Sequence, residues 1–396
     1  MTTTLIKNNV YSIRTLDSQR RLFDQLIPLP DGTSYNAYLV VGSEKTALID
    51  SAYPPKVNDF IKDIKEHYKG KIDYIISQHS EQDHSGAFPK LLELYPEAKI
   101  VTNPKCKSMI NDCLSIPDDK YTLIHDGELL SLGDKTLEFL FTPWVHWPDT
   151  MMTYLKEDKI LFTCDLFGSH LAVEDLFVKD EAVTHTAAKR YYAEIMMPFR
   201  NHIRKHLERL KNYDFEIISP SHGHSYQNPD FILNDYNNWV SENVKNEAVI
   251  LYVSMYESTA TMANYLDKAL KDAGVSSKKF DLIDSDAGEL VMDIIDAATL
   301  VYATPTVLSG PHLVVANAVY LINALRPKAR YAAIMGSYGW GSNMVDQLKH
   351  LMTNLKTEYL DPVLVRGMPK EPDYKLLDDL AKNIAQKHES LTLAKA

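Results

Sequence analysis

The chain has 396 residues, of which 45% are hydrophobic and 24% charged, and a formal net charge of −11. Such a length divides into two or three domains, each able to bury its own core. The acidic balance argues against non-specific binding to nucleic acid.

Three cysteines, Cys106, Cys113 and Cys164, form no CxxC pair. They argue against a disulfide framework or a cysteine zinc site and fit a reducing cytoplasm. The opening MTTTLIKNNVYSI lacks a basic stretch followed by a long apolar run, so no signal peptide is expected. No segment reaches the ~18 apolar residues of a membrane span.

In residues 1–246, short apolar runs predict buried strands at 46–50, 72–77, 137–141, 160–163 and 215–219. Four of them lead into a histidine or an aspartate: His79, His146, Asp165 and His222. Strand ends in a packed sheet are rigid and close in space, so ligands placed there converge although they are far apart in sequence. The segment after the second run is the densest, with His79, Glu81, Asp83 and His84 inside HSEQDH. At the start of a loop, residues 79, 81 and 83 can point one way, and Asp83 and His84 can be shared between two adjacent ions. Imidazole suits iron, zinc or copper, and carboxylates add charge and harder oxygen donors. His170 follows Asp165 closely and is a candidate to line the same site. His202 and His206 lie four apart on a predicted basic helix and read as a solvated face. Trp147 is expected to pack the wall of the site, and Cys164 to be a core residue.

Residues 247–396 alternate strand and helix. Strands are predicted at 248–253, 279–282, 300–303, 331–335 and 363–365, and helices at 259–273, 288–297, 313–325, 344–356 and 373–388. A polar helical segment at 235–248 marks the junction. Five such units predict a doubly wound parallel sheet with its ligand site beyond the carboxyl ends of the strands. The first strand runs into Ser254, Met255, Tyr256, Ser258 and Thr259, hydroxyls and backbone N–H groups that open a helix and cradle a phosphate. An N-cap alone also explains Ser258 and Thr259. A loop of Pro305, Thr306, Val307, Leu308, Ser309 and Gly310 is expected after the third strand, and one of Ser337, Tyr338, Gly339 and Trp340 after the fourth. No GxGxxG fingerprint occurs, which disfavours FAD or bound NAD.

The cluster resembles the HxHxDH signature of the metallo-β-lactamase superfamily, with Glu81 where zinc hydrolases carry histidine. HxExDH is the pattern of the flavodiiron proteins. His146 in WVHWPDTM, Asp165 in LFTCDLFGSH and His222 in SPSHGHS extend the resemblance, which covers essentially the whole chain. It implies a metallo-β-lactamase-like αββα sandwich followed by a flavodoxin-like domain. In that pattern His79, Glu81 and His146 hold one iron, Asp83, His84 and His222 the other, and Asp165 bridges them. The counterpart of His84 turns away in some members. The glycine after His222 selects it over His224. Tyr191 and Tyr192 match a family RYYA segment; either one of them reaches the diatomic pocket or they serve packing, and Tyr192 is taken with His170 as the candidate to stand behind the ligands. The three loops of the second part correspond to those that grip FMN.

The resemblance further implies reduction of dioxygen to water through FMN and a non-haem di-iron centre, as oxygen detoxification in an anaerobe. Nitric oxide reduction at the same centre is the alternative, and a zinc hydrolase is a remoter one. The donor is a separate molecule, F420H2 or reduced rubredoxin, because no rubredoxin-like CxxC pair follows the flavin part. Within one subunit of this family the FMN lies too far from the irons, so a head-to-tail homodimer or dimer of dimers is expected.

Overall fold

The computed structural model describes residues 2–23 and 25–391. The chain falls into two compact units, Met1–Tyr192 with Phe199–Val240, and Ala193–Pro198 with Ser241–Ala396.

Two sheets build the first unit. One runs, in spatial order, Thr2–Lys7, Val10–Asp17, Thr33–Val41, Thr46–Ile49, Tyr74–Ile76, Lys99–Thr102 and Tyr121–Leu123. The other runs Leu129–Ser131, Thr136–Phe141, Met151–Leu155, Ile160–Phe162 and Ile217–Ser219. Side chains alternate between the faces of a strand. Leu39, Leu48, Ile75 and Ile100 therefore share a core with Phe60, Ile64, Leu91 and Ile110 of the helices Val57–His67, Phe88–Leu94 and Pro104–Leu114. Their neighbours Tyr38, Val40, Ile49, Ile76 and Val101 meet Leu137, Phe139, Leu155, Ile160 and Phe162 of the second sheet. With both faces covered, each fully buried Ile, Leu or Phe contributes ~1.5–3 kcal/mol. The helices Arg200–Leu210 and Pro229–Val240 bury Ile203, Leu207, Ile232 and Tyr236. This is the αββα sandwich expected.

The parallel pairs set up the site. Thr46–Ile49 runs parallel to Tyr74–Ile76, and Ile160–Phe162 parallel to Ile217–Ser219. Asp50, His79, Asp165 and His222 all follow the carboxyl ends of these strands.

The second unit carries the parallel order Ser276–Asp281, Lys245–Tyr252, Ala297–Val307, Tyr331–Tyr338 and Glu358–Tyr359, with Val363–Arg366 also paired along Tyr331–Tyr338. The strand order reverses at Lys245–Tyr252, the topological switch of doubly wound sheets. Met262, Leu266, Leu377 and Ile384 cover one face of this sheet, over Ile250, Val301 and Ala333.

Several boundaries differ from expectation. The strand predicted at 300–303 is eleven residues long, Ala297–Val307, and turns back through Leu308 and Ser309 into Gly310–Pro311. Both turn residues have positive φ, 50° and 66°, as a tight hairpin demands. The polar helical segment at 235–248 splits. A helix ends at Val240, and Lys245–Tyr252 is already a strand, because Glu247 pairs with Ser276 and Lys245 with Ala297. The helices predicted at 288–297 and 344–356 are shorter, Ala287–Asp293 and Met344–Leu351.

Candidate metal centre and flavin loops

His79 leaves the end of Tyr74–Ile76 and is wholly buried. The loop expected over 79–84 is partly a helical turn, Gln82–Ser85, whose N-cap is Glu81. Helical geometry replaces the simple alternation of 79, 81 and 83. It turns Glu81 toward His79 and His146, and Asp83 and His84 toward His222. The ligand atoms of His79, Glu81 and His146 lie within 4.8 Å of one another, as do those of Asp83, His84 and His222.

Glu81 Oε2 is 3.2 Å from His79 Nε2 and 3.3 Å from His146 Nε2. Asp83 Oδ1 is 3.5 Å from His84 Nε2, and Asp83 Oδ2 is 3.4 Å from His222 Nε2. Asp165 stands between the groups. Its Oδ1 is 3.2 Å from both His84 Nε2 and His222 Nε2, while its Oδ2 is 3.7 Å from His146 Nε2 and 3.9 Å from His79 Nε2. Ligands ~2.1 Å from a shared ion at right or tetrahedral angles lie roughly 3.0–3.4 Å apart, close to these separations.

Three carboxylates this near one another out of water need cations. Burial opposes charging His79, but hydrogen bonds to Asp149 and Glu81 outweigh it and raise its pKa to about 10. His84 is likewise raised against burial, by Asp165 and Asp83. Burial, opposed chiefly by His84 and seconded by Glu81, leaves the Asp83 carboxyl raised, whereas His84 and His222 overcome burial to hold Asp165 well below the usual range.

The surroundings hold the ligands in place. His222 Nδ1 donates to the Ser34 carbonyl at 2.7 Å. Gly223 follows with φ +77°, and a Cβ there would meet Ser169 Oγ at 2.0 Å, so only glycine fits. Asp50, Trp144 and Cys164 sit at φ 56°, 67° and 54°, strain of ~1–3 kcal/mol each that the surrounding packing must offset. Trp147 stands edge-on to His79, ring centroids 4.9 Å apart, and walls the site as expected.

The tyrosine pair corrects the expectation. Tyr192 does not reach the cluster: its hydroxyl donates to the Trp239 carbonyl at 3.1 Å, and its ring packs on Tyr236 and Trp239. Tyr191 is the one that arrives, donating to Asp165 Oδ1 at 2.9 Å. Consecutive residues at a helix end point about 100° apart, so one of the pair at most faces a given point. His170 borders the site. Its ring packs on Tyr191 and His222, its Nδ1 is 2.9 Å from Thr33 Oγ1, and its buried Nε2 makes no hydrogen bond among the described residues. His224 lies elsewhere, against Thr184, with burial pushing its pKa down to about 4. His202 is exposed, and His206 contacts the Pro143 carbonyl. Cys164 is buried, with its Sγ 3.8 Å from His84 Nδ1.

In the second unit, a cavity of about 310 Å³ is lined by Met255, Tyr256, Ser258, Pro305, Thr306, Ser337, Tyr338 and Gly339, together with Gly367 and Met368. Ser337 Oγ accepts from Ser258 Oγ at 2.7 Å and lies 3.3 Å from Thr259 Oγ1, tying the first and third loops together. Ser254 Oγ accepts from Ala260 N–H at 3.1 Å, in the first turn of the helix Ser258–Asp272. Val307, Leu308, Ser309, Gly310 and Trp340 are not on the cavity wall. Leu308 and Trp340 are 95% and 87% exposed, and a Cβ on Gly310 would meet Gln347 Oε1 at 2.3 Å. For residues 307–310 the longer third strand is the reason, since it carries the hairpin past the cavity.

Residues 33–223 match the model of the ODP family beta lactamases, and residues 250–377 match the flavodoxin model. The chain is 33% identical over 389 residues to a nitric oxide reductase of Moorella thermoacetica, covering 96% of this chain and 97% of that one. It is 32% identical to a coenzyme F420H(2) oxidase of Methanothermobacter marburgensis, over 81% of this chain and 83% of the other. The structure of rubredoxin oxygen:oxidoreductase from Desulfovibrio gigas superposes with a TM-score of 0.94 at 30% identity, covering 98% of this chain and 99% of that one. The chain belongs to the flavodiiron proteins.

The side chains fit what a flavodiiron protein must hold. Buried Asp83 Oδ1 and His84 Nε2 make no hydrogen bond among the described residues, and both aim at the centre of the second group. Buried Thr306 Oγ1 is also without one, beside the flavin cavity. Two acidic residues of this flavodiiron site escaped the sequence reading. Asp149 accepts from Ser80 N–H at 2.8 Å and lies 3.3 Å from His79 Nδ1. Asp50 accepts from Gln78 N–H and Nε2–H at 2.9 and 3.0 Å, with His84 Nδ1 3.6 Å away. Asp50 was counted inside the strand predicted at 46–50. Read as a strand end, like the other four runs, it would have been found.

Proposed function

We propose that this flavodiiron protein reduces dioxygen to water, with electrons entering through FMN, for oxygen detoxification. The observation that carries the reading is Asp165, one oxygen of which faces His84 and His222 and the other His79 and His146. A carboxylate presented this way suits two ions side by side. We assign His79, Glu81 and His146 to one iron, Asp83, His84 and His222 to the second, and Asp165 to both. The domain boundary is taken at 246/247, with FMN held by the loops around the 310 Å³ cavity.

When bound, the iron pair supplies diatomic binding and the change of oxidation state, and FMN supplies the electrons. The chain's own residues do the rest. Glu81, Asp83 and Asp165 supply the negative charge that favours ferric ions. Tyr191 holds a proton at the shared carboxylate, 2.9 Å from Asp165 Oδ1, and fixes its orientation. Trp147 and the burial of His79 keep water from the ligand nitrogens. In the second unit, Ser258, Thr306 and Ser337 offer hydroxyls, and Tyr256 and Tyr338 offer aromatic surface for an isoalloxazine ring.

The identity with the Moorella enzyme supports nitric oxide reduction at the same centre as a second reading. F420H2 and reduced rubredoxin are the donors proposed, in keeping with the names of the two other relatives. The working unit is taken as a cytoplasmic head-to-tail homodimer or dimer of dimers. Among the described residues no helix is long and apolar enough to cross a membrane. Tyr256, Leu308 and Trp340 are 82–95% exposed at the flavin loops, apolar surface that a second copy would cover. An active preparation eluting only as a monomer sinks the dimer.

The test of function is an anaerobic assay of purified protein with F420H2 and with reduced rubredoxin, each against O2 and NO. Rapid donor oxidation coupled to O2 uptake is expected. Oxidation of neither donor by either acceptor overturns the reading.

A further inference from the structure

We propose that the two halves of the centre hold their ions with unequal strength, the His79–Glu81–His146 half being the tight one, and that Asp149 is the positioning residue that makes it so. The inference rests on the two-ion reading above.

A ligating imidazole gives one nitrogen to its ion and donates the other N–H outward. The outward acceptor fixes the tautomer and ring orientation and sets the basicity of the ligating nitrogen. Ligand charge alone does not separate the halves, because each has one carboxylate of its own and both share Asp165. The outward partners do separate them.

Behind His79 stands a carboxylate. His79 Nδ1 is 3.3 Å from both Asp149 oxygens, and the Asp149 side chain is 0% exposed. Asp149 is itself fixed at two points: Ser80 N–H donates to its Oδ2 at 2.8 Å, and Asn103 Nδ2 donates to its carbonyl at 2.7 Å. Behind His222, among the described residues, stands the neutral Ser34 carbonyl, at 2.7 Å. Behind His84, among the described residues, the group in hydrogen-bond reach is the weak acceptor Cys164 Sγ. Asp50 Oδ2 is 3.6 Å away and already accepts from Gln78 and Ser221, and Cys164 Sγ is 3.8 Å away. An N–H···O separation of 3.6 Å is not a hydrogen bond. A charged acceptor makes the His79 nitrogen a more basic donor than those of His84 and His222.

Exposure runs the opposite way. Glu81 and His146 are 21% and 13% exposed, against 10% and 3% for Asp83 and His222. If access alone governed ion loss, the first half would empty first. The order of loss at equilibrium therefore discriminates between the two effects.

The experiment loads the FMN-containing chain with Co(II) under anaerobic conditions and equilibrates it with a chelator to one ion per chain. Crystals are then measured for anomalous scattering at the cobalt edge. Density beside His79 is expected, and density beside His222 overturns the proposal. In chelator competition, Asp149→Asn is expected to weaken the tighter of two dissociation constants by roughly 10–100-fold and to leave the weaker one nearly unchanged. Cys164→Ala is expected to leave the tighter one unmoved. An unchanged tighter constant in a folded Asp149→Asn chain also overturns the proposal, and the wild-type arm stands if that variant fails to fold. Wild-type protein that binds fewer than two ions removes the two-ion reading itself. Two ions lost in the opposite order remove this inference alone.

Discussion

The two units solve the problem of holding a redox group in opposite ways. The first concentrates charge. Five carboxylates, Asp50, Glu81, Asp83, Asp149 and Asp165, gather with four histidines in a space where Glu81, His146 and Asp83 are the side chains most open to solvent, at 21%, 13% and 10%. The second disperses neutral groups, hydroxyls and aromatic edges from three loops around an open cavity. Buried charge without its counter-charge is costly, whereas one hydroxyl among many contributes little. Single substitutions should thus be severe in the first unit and graded in the second.

The sharpest break of that comparison comes from Asp165. Asp165→Ala removes the one group both halves share and leaves four imidazoles facing two carboxylates. Breaking a buried pair costs ~3–5 kcal/mol, roughly 10²–10⁴-fold in ion affinity. Iron content should collapse while FMN content stays near wild type. Loss of both cofactors together would mean that the units are not separable in this sense.

Next in size is the tyrosine pair. Tyr191→Phe deletes a hydrogen bond to a charged acceptor, ~1.5–3 kcal/mol, and should shift the ultraviolet–visible or Mössbauer signature of the iron pair. Tyr192→Phe should leave that signature alone and cost only the ~1 kcal/mol of a neutral hydrogen bond in unfolding experiments. Equal spectral effects from both would contradict the placement of Tyr191.

In the second unit, Ser337→Ala removes the acceptor of Ser258 and the neighbour of Thr259. A neutral hydrogen bond of ~1 kcal/mol corresponds to about a 5-fold weaker FMN affinity, measurable by fluorescence quenching, with iron content unchanged. A loss as large as that of Asp165→Ala would erase the contrast.

The smallest effect is a pH dependence. His388 Nε2 accepts from Thr299 Oγ1–H at 2.7 Å, and its Nδ1–H donates to Asn246 at 2.8 Å. Burial pushes its pKa down to about 4, against about 6.5 in an unfolded chain. The unfolded chain takes up the proton first, so this contribution to stability is whole above pH ~6.5 and declines as pH falls toward 4. Denaturation midpoints between these values should fall for wild type and run flatter for His388→Phe.

The contrast between the units also explains what was legible in the sequence. All seven proposed ligands could be named because they follow strand ends in recognisable strings, and the structure gathers them. Asp149 was missed because its role is to stand behind His79, which no local pattern announces. The strand Thr33–Val41 was not singled out because Ser34 and Asn36 interrupt its apolar run. Both are buried in the fold, where Asn36 donates to the Pro220 and Gly223 carbonyls and Ser34 serves His222 and Gly223. Polar residues that brace a site look like solvent-facing ones until the braced loop is seen. In the second unit the regular alternation pointed to a doubly wound parallel sheet, but the length of Ala297–Val307 did not follow from its apolar centre. Leu308 and Ser309 accordingly form the turn of a hairpin beyond the cavity wall.

The central claim is that this chain joins a two-iron centre to a flavin. The most direct test is elemental analysis of the purified protein together with flavin release and quantification. Two irons and one FMN per chain are predicted. Two zincs and no flavin would contradict the account.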